Sequence, residues 1–151
     1  MGTTVDTVDD LVAFVGQHLG TSEWLEVSQD RVKTFADATD DQQRIHVDPE
    51  RAASGPFGGP IAHGYLTLAL LVPLWAQVLT VSRRSMAINY GLNRVRFPAP
   101  VPVGSRVRLS ATLVSCERVP GGVQIVVDAV VECEGGDRPV CVAQPIYRIY
   151  A

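Results

Sequence analysis

The chain has 151 residues, a formal net charge of −3 and a hydrophobic fraction of 46%. This length fits one compact domain over residues 1–151, and this hydrophobic fraction excludes a disordered chain. The basic residues form no run of the kind that binds a phosphate backbone, so we expect no nucleic-acid partner.

The N-terminal part is predicted to be mainly helical. Apolar residues at helical spacing predict a first helix that ends at Gly20; they are Leu11, Phe14, Val15 and Leu19. The stretch EWLEVS predicts a short strand, and Ser28 is a candidate N-cap for a second helix over SQDRVKTFADAT. A polar loop follows, and then Asp48 and Pro49 in DPERAA predict one further helical turn.

The longest apolar segment, HGYLTLALLVPLWAQVLT, predicts a central helix. As a helix it would span roughly 25 Å, and it contains Pro73 and Gln77, so we expect no membrane span. Because the segment is apolar nearly all round, we expect it to be buried inside the fold. Pro73 has no N–H to donate to the carbonyl of Ala69, which predicts a local bend.

The C-terminal half is predicted to consist of strands. Four stretches rich in Val, Ile and Tyr carry the pattern: SMAINYGLNRVRFPAPV, SRVRLSATLVSCERV, GVQIVVDAVVEC and PVCVAQPIYRIY. Turn sequences such as VPVG, PGG and EGGDR join them, which predicts an antiparallel meander. A curved antiparallel sheet wrapped around one long central helix is an α+β arrangement, the hot-dog fold.

A candidate site lies in the polar loop and at the start of the apolar segment. Asp41 and His46 offer a carboxylate and an imidazole that could hold one water molecule, one taking its proton while the other donates or orients. If the central helix begins at Gly64, its N–H has no partner in the helix and can stabilise a developing negative charge. The addition of water to an α,β-unsaturated thioester requires such an acid/base pair and such a donor.

Each of these residues also has a structural interpretation. Asp41 and His46 can be ordinary solvent-facing residues of a polar loop. His63, which precedes Gly64, is expected to be a capping or structural residue rather than a chemical one. A metal site formed by Asp41, His46 and His63 is conceivable, but there is no close pair of ligands at i and i+4, so no metal and no cofactor are expected.

The run FADATDDQQRIHVDPERAA resembles the hydratase motif of the MaoC-like (R)-specific enoyl-CoA hydratases. By this resemblance the catalytic aspartate falls on Asp41 and the catalytic histidine on His46. IAHGYLTLAL is similar to the start of that family's helix, which puts the oxyanion-hole amide at Gly64. NRVRFPAPVPVGSRV is similar to the strand and turn that follow, so the resemblance covers most of the chain.

The resemblance implies reversible hydration of trans-2-enoyl-CoA to (R)-3-hydroxyacyl-CoA without a metal or redox cofactor. The chain departs from the family motif at three positions: Asp40, Gln43 and Arg44 stand where the motif has glycine, asparagine and proline. Asp40 is expected to face solvent. The departures keep three rival functions open: a non-catalytic acyl-thioester-binding subunit, a subunit that needs a second chain, and an acyl-CoA thioesterase.

The implied substrate is an acyl-CoA, or an acyl chain carried by acyl carrier protein. Exposed strand edges predict a homodimer with its active sites near the subunit interface. Candidates to bind CoA are Asn93, Arg94 and Arg96, although regular alternation would point Asn93 away from the two arginines, and all three can be surface residues without a ligand. Candidates to line the acyl pocket are Phe57, Leu71 and Trp75, and for the last two core packing is the alternative.

The three cysteines are widely spaced and form no CxxC pattern, which predicts reduced, mostly buried thiols. The N-terminal stretch MGTTVDTVDDLVAF is acidic and lacks the basic and apolar regions of a signal peptide. These two features predict a cytoplasmic protein.

Overall fold

The chain folds as an α+β unit, which a computed structural model describes over residues 2–151. The helices are a 3₁₀ helix at Val8–Phe14, α1 at Gln29–Thr39, α2 at Arg44–Val47, α3 at Pro49–Ala53, α4 at Gly64–Ala69 and α5 at Leu71–Val78. The strands are β1 at Thr3–Thr7, β2 at His18–Thr21, β3 at Leu25–Glu26, β4 at Leu79–Arg83, β5 at Met86–Arg96, β6 at Arg106–Val119, β7 at Gly122–Cys133 and β8 at Pro139–Tyr150.

The main sheet is antiparallel, with strand order β2-β6-β7-β8-β5 and β3 paired with β6. The predicted meander is confirmed for β6, β7 and β8. Strand β5 lies beside β8 rather than beside β6, because the segment between β5 and β6 crosses over instead of forming a tight hairpin. That segment carries Pro98, Pro100 and Pro102, which lack the N–H groups of a hairpin ladder. Strands β1 and β4 form a separate parallel pair.

The core lies between the inner face of the sheet and the helices. Alternate residues of the long strands are buried there, including Val107, Leu109, Leu113, Ile125, Val127 and Val131. Leu74 and Val78 of α5 are fully buried against them. The expected buried thiols are found at Cys133 and Cys141, which are free and buried, while Cys116 is half-buried. Burial raises the pKa of Cys141 to about 11.

The first predicted helix is wrong in extent. It is a 3₁₀ helix that ends at Phe14, and Leu19 belongs to β2 instead. Gly16 adopts a left-handed φ of 84°, and its N–H donates to the carbonyl of Leu113 at 2.7 Å. This contact places the residues after Gly16 beside β6, where they form β2. The left-handed turn that allows it suits glycine.

The central apolar segment forms two helices and a strand rather than one helix. The helix is interrupted at Leu70, where ψ is −9°. The preceding residue is Ala69, whose carbonyl receives no hydrogen bond from Pro73 because proline has no N–H. The predicted bend is therefore confirmed. The expectation of burial on all sides is wrong, since Tyr65 is 74% exposed and Val72 is 59% exposed. The last residues of the segment, from Leu79, pair with β1 because this apolar run suits a strand as well as a helix.

Neither α4 nor α5 approaches the length of a membrane-spanning helix, and none of the helices within residues 2–151 has the length and hydropathy that such a span needs.

The predicted helix starts at Ser28 and Asp48 are confirmed. The Ser28 hydroxyl accepts a hydrogen bond from the N–H of Arg31 at 3.1 Å, which caps α1. The Asp48 carboxylate accepts one from the N–H of Arg51 at 3.1 Å, with Pro49 as the first residue of α3. Helix α2 was not predicted, and it lies within the polar loop between these two helices.

Candidate functional site

The segment that carries the predicted acid begins where α1 ends. Asp40 caps α1 in a left-handed conformation with φ of 58°, and it is exposed, as expected. This conformation turns the chain sharply, so that the half-buried Asp41 faces inward toward α4.

His46 lies in α2 and is held in place on two sides. Its side chain is 7% exposed, and Nδ1 lies 2.7 Å from the carbonyl oxygen of Ile61. Because a carbonyl only accepts, Nδ1 must carry the hydrogen, which leaves the Nε2 lone pair available to a water or a substrate. The side-chain amide of Gln29 donates to the His46 carbonyl at 2.9 Å, and the Ile61 N–H donates to the Ile45 carbonyl at 2.8 Å. The ring therefore has a fixed tautomer, and the edge that carries Nδ1 is held in place.

The structure brings Asp41, His46 and His63 together. A carboxylate oxygen of Asp41 and one nitrogen of each histidine lie within 4.8 Å of one another. The two imidazole rings are stacked, with centroids 3.9 Å apart and planes at 28°. The loop acid and the loop histidine thus converge on one small region, as the sequence predicted.

The same three residues are the conceivable metal ligands, and their geometry does not suit a metal. A metal ion lies in the plane of each imidazole that binds it, about 2.1 Å from the nitrogen. Two stacked rings with planes only 28° apart have planes that meet several ångströms farther out. One ion therefore cannot bind a nitrogen of His46 and a nitrogen of His63 while the rings remain stacked.

His63 is 2% exposed and connects the other two residues. Its Nε2–H donates to the backbone carbonyl of Asp41 at 3.0 Å. It is the N-cap residue of α4 by position, but its side chain makes no capping hydrogen bond, so it has a structural role without capping. Its Nδ1 is the buried side-chain polar atom without a hydrogen-bond partner in residues 2–151, and such a lone pair costs about 1–3 kcal/mol.

Gly64 is the first residue of α4, as predicted. The first hydrogen bond of the helix joins the Thr67 N–H to the His63 carbonyl at 3.1 Å, so the Gly64 N–H has no partner within the helix. A Cβ atom at this position would lie 3.1 Å from two carbon atoms of the Phe97 ring. The absence of a side chain therefore lets Phe97 pack directly against the backbone of Gly64.

Two largely apolar cavities adjoin α4, and the residues that line them do not include Asp41, His46 or His63. The first adjoins Gly64 and is lined by Phe57, Ile61, Thr67, Phe97, Val101 and Val140 among others. The second lies between the helices and β5 and is lined by Leu68, Leu71, Val72, Leu92 and Tyr147 among others. Trp75 stacks on Tyr147 with centroids 4.8 Å apart, and both line a neighbouring, more polar cavity. Of the predicted lining residues, Phe57 borders the first cavity, Leu71 the second, and Trp75 the third.

The predicted CoA-binding residues lie on the exposed strand β5. The expected regular alternation is wrong, because the register with β8 shifts between Leu92 and Val95. The Asn93 amide donates to Gln144 at 2.7 Å, and the Arg96 guanidinium donates to the carbonyl of Val95 at 2.7 Å.

Sequence reasoning missed the Ile61 carbonyl and the Phe97 ring. A backbone acceptor carries no residue signature, so nothing in the sequence could reveal the bond from His46 to Ile61. Phe97 directly follows the arginine-containing strand, and its contact with the helix start depends on long-range packing that has no local sequence pattern.

Comparisons with known proteins agree with this fold. The chain matches the MaoC like domain family over residues 10–134. It is 56% identical over 149 residues to 3-hydroxyacyl-thioester dehydratase Z of Mycobacterium tuberculosis, which is 98% of this chain and 99% of that protein. It is 46% identical over 137 residues to Nodulation protein N of Rhizobium leguminosarum, covering 89% of this chain and 85% of that protein.

Among solved structures, the unliganded R-hydratase PhaJ1 from Pseudomonas aeruginosa superposes with a TM-score of 0.72 at 26% identity. The superposition covers 91% of this chain and 81% of that one. The predicted hot-dog fold is thereby confirmed, and the comparisons support hydratase/dehydratase chemistry of the hydro-lyase class. With a family match that spans most of its length, this chain belongs to the MaoC-like domain family.

Proposed function

We propose that this protein is an (R)-specific enoyl-thioester hydratase, which adds water reversibly to trans-2-enoyl-CoA and gives (R)-3-hydroxyacyl-CoA. The observation that carries the proposal is the meeting of the Asp41 carboxylate and the His46 imidazole within 4.8 Å, beside the start of α4. The names of the dehydratase and hydratase relatives support the same reaction. The chain would act as one domain, and its cytoplasmic location remains a prediction.

The proposed reaction uses the two side chains on a single water. His46 Nε2 accepts one hydrogen of the water, because Nδ1 is already donating to Ile61. The Asp41 carboxylate accepts the other hydrogen and orients the oxygen toward C3 of the substrate. As the C3–O bond forms, the C2–C3 π electrons move toward the thioester carbonyl. The proton taken from the water is then delivered to C2 on the same face, so all three atoms of the water end in the product.

The negative charge that develops on the thioester oxygen needs a donor. The Gly64 N–H is free of intrahelical bonds, and it follows His63, whose ring stacks on His46. We therefore assign the oxyanion hole to this amide. A preorganised donor of this kind contributes a factor of about 10²–10³ to turnover.

The carrier part of the substrate would bind near the end of β5. Arg96 immediately precedes Phe97, whose ring contacts Gly64, so the strand leads from the surface to the proposed oxyanion donor. Arg94 and Arg96 are exposed and suit the phosphates of CoA, with Asn93 as a further polar contact. The same groups could hold the phosphopantetheine of an acyl carrier protein.

A homodimer would cover the exposed edge of the sheet. Strand β5 is an edge strand of the main sheet, and all of its residues except Val95 are exposed. Its exposed apolar side chains are Met86, Ile88, Tyr90 and Leu92. An unpaired edge with apolar side chains is a template for another strand, so we propose that two copies pair through β5.

Crotonyl-CoA hydration by the purified protein tests the proposed function. We expect loss of the ultraviolet absorbance of the enoyl thioester and chromatographic detection of the (R)-3-hydroxy product. Asp41→Asn and His46→Gln should each lower turnover by about 10²–10⁴-fold with an unchanged circular dichroism spectrum. Asp40→Asn, at the exposed neighbouring carboxylate, is the matched control and should remain close to wild type.

Near-wild-type hydration by either site variant would remove the assignment. Each rival function also has its own readout. Release of free CoA indicates a thioesterase, ligand binding without turnover indicates a non-catalytic subunit, and turnover only after addition of a second chain indicates a partner-dependent enzyme.

A further inference from the structure

We propose that His63 is a positioning residue, which holds the Asp41 and His46 side chains in a fixed relative position without touching the substrate. The proposal rests on the proposed function, because the relative position of the pair matters for turnover only if the pair acts on a water. Three observations carry it: the hydrogen bond to Asp41, the stacking on His46, and the buried Nδ1 of His63, which has no hydrogen-bond partner.

The first observation concerns the loop that carries Asp41. The residues from Asp40 to Arg44 are exposed except for Asp41 itself, so core packing does little to fix this loop. His63 lies 22 residues farther along the chain, and its Nε2–H donates to the Asp41 carbonyl at 3.0 Å. This bond fixes the peptide plane that follows Asp41, and with it the direction from which the carboxylate reaches the site.

The second observation concerns the plane of the His46 ring. The hydrogen bond to Ile61 fixes one edge of the ring but allows rotation about that bond. The stacked ring of His63, 3.9 Å away between centroids, removes that freedom. Phe35 packs against His63 with centroids 5.0 Å apart, which holds His63 in turn. The direction of His46 Nε2 is therefore set by Ile61 and His63 together.

The third observation is the unpaired Nδ1 of His63. A phenyl ring at this position would occupy similar space and stack on His46 without burying a lone pair. What a phenyl ring cannot supply is the N–H that reaches Asp41. The His63 carbonyl also accepts the first hydrogen bond of α4. The same residue therefore contacts Asp41 and His46 and lies at the start of the helix that carries the Gly64 N–H.

Two substitutions separate the ring from its donor. His63→Phe keeps the stacking surface and loses the bond to Asp41, so kcat should fall about 10²-fold, the effect of a misplacement of about 1 Å. KM should be unchanged, and the melting temperature should stay close to that of wild type, because the substitution removes a buried lone pair but also takes the donor from the Asp41 carbonyl. His63→Gln keeps a side-chain N–H donor and should retain more kcat than His63→Phe.

A structural role alone gives a different pattern. In that case the loss of activity would follow the loss of melting temperature, and His63→Phe would be the more active variant. Either result overturns the proposal, as would a wild-type kcat in His63→Phe.

Combining His63→Phe with Asp41→Asn shows whether His63 acts through Asp41. If it does, His63→Phe should cause little further loss of kcat in the Asp41→Asn background. Independent, additive losses would overturn the proposal. Failure of the proposed function has a separate signature, since the wild-type protein would then hydrate no enoyl thioester at all.

Discussion

Replacing Gly64 by alanine tests how closely the substrate approaches the start of α4. The new Cβ would lie 3.1 Å from two Phe97 ring carbons and 3.3 Å from a third, so the ring must move by a few tenths of an ångström. Phe97 is 40% exposed and can yield. Alanine also favours a helix over glycine by up to about 1 kcal/mol. The two effects oppose each other, so the free energy of unfolding should change by less than about 1 kcal/mol.

Turnover should respond far more strongly than stability. A methyl group beside the proposed oxyanion donor keeps the thioester oxygen away from the N–H, so we expect kcat to fall about 10²-fold, as when such a donor is lost. Urea denaturation and crotonyl-CoA hydration measure the two effects. Gly59→Ala is the control, since a Cβ there meets no atom within 4 Å. Wild-type kcat in Gly64→Ala, or full recovery in Gly64→Ala combined with Phe97→Ala, would refute the reasoning, because the ring rather than the substrate would then explain the loss.

Three further outcomes are expected. Leu74→Ala removes a fully buried side chain and should lower the free energy of unfolding by about 2–5 kcal/mol in urea, whereas the exposed Val12→Ala should change it by less than about 0.5 kcal/mol. Arg94→Ala combined with Arg96→Ala should raise KM for crotonyl-CoA and weaken the dependence of KM on salt, with kcat unchanged. Arg118→Ala is the control, since this arginine pairs with Asp9, and it should leave KM unaltered. A wild-type KM in the double variant would exclude the two arginines from binding. Tyr90→Glu on the β5 edge should give a monomer by light scattering, and Val114→Glu on β6 should not; a wild-type monomer would contradict the proposed dimer.

Local rules predicted the elements that local interactions decide. Ser28 and Asp48 cap helices because a short polar side chain can satisfy a nearby N–H whatever the rest of the fold does. Pro73 interrupts the central helix because its missing N–H is a property of the residue itself. The inward and outward alternation of β6 and β7 follows from strand geometry in the same way.

Long-range pairing decided what the sequence did not predict. Leu19 and Leu79 belong to apolar runs that suit a helix or a strand equally, and each became part of a strand because a distant partner strand was available. The place of β5 beside β8 likewise depends on how the proline-containing segment crosses over. No local pattern distinguishes these outcomes, so they appear only in the assembled fold.

The candidate site shows the same division. The meeting of Asp41 and His46 was predictable because the two residues lie only five positions apart, in the short polar segment between α1 and α3. The bond from His46 to Ile61 and the stacking on His63 were not, because a backbone carbonyl and a ring surface acquire their roles only when α4 packs against that loop. The side chains proposed for the chemistry were thus accessible from sequence, whereas the groups that orient them were not.

The exposed edge and the proposed site are physically connected through Phe97. This residue follows directly after β5, and its ring packs against Gly64, where the oxyanion donor is proposed. It also packs against Tyr65 with centroids 6.5 Å apart, and Tyr65 is largely exposed. A second copy that pairs with β5 would restrict the motion of that strand and of the ring that follows it. Assembly and turnover should therefore change together in the Tyr90→Glu variant, since the partner would complete the surface against which the start of α4 is held.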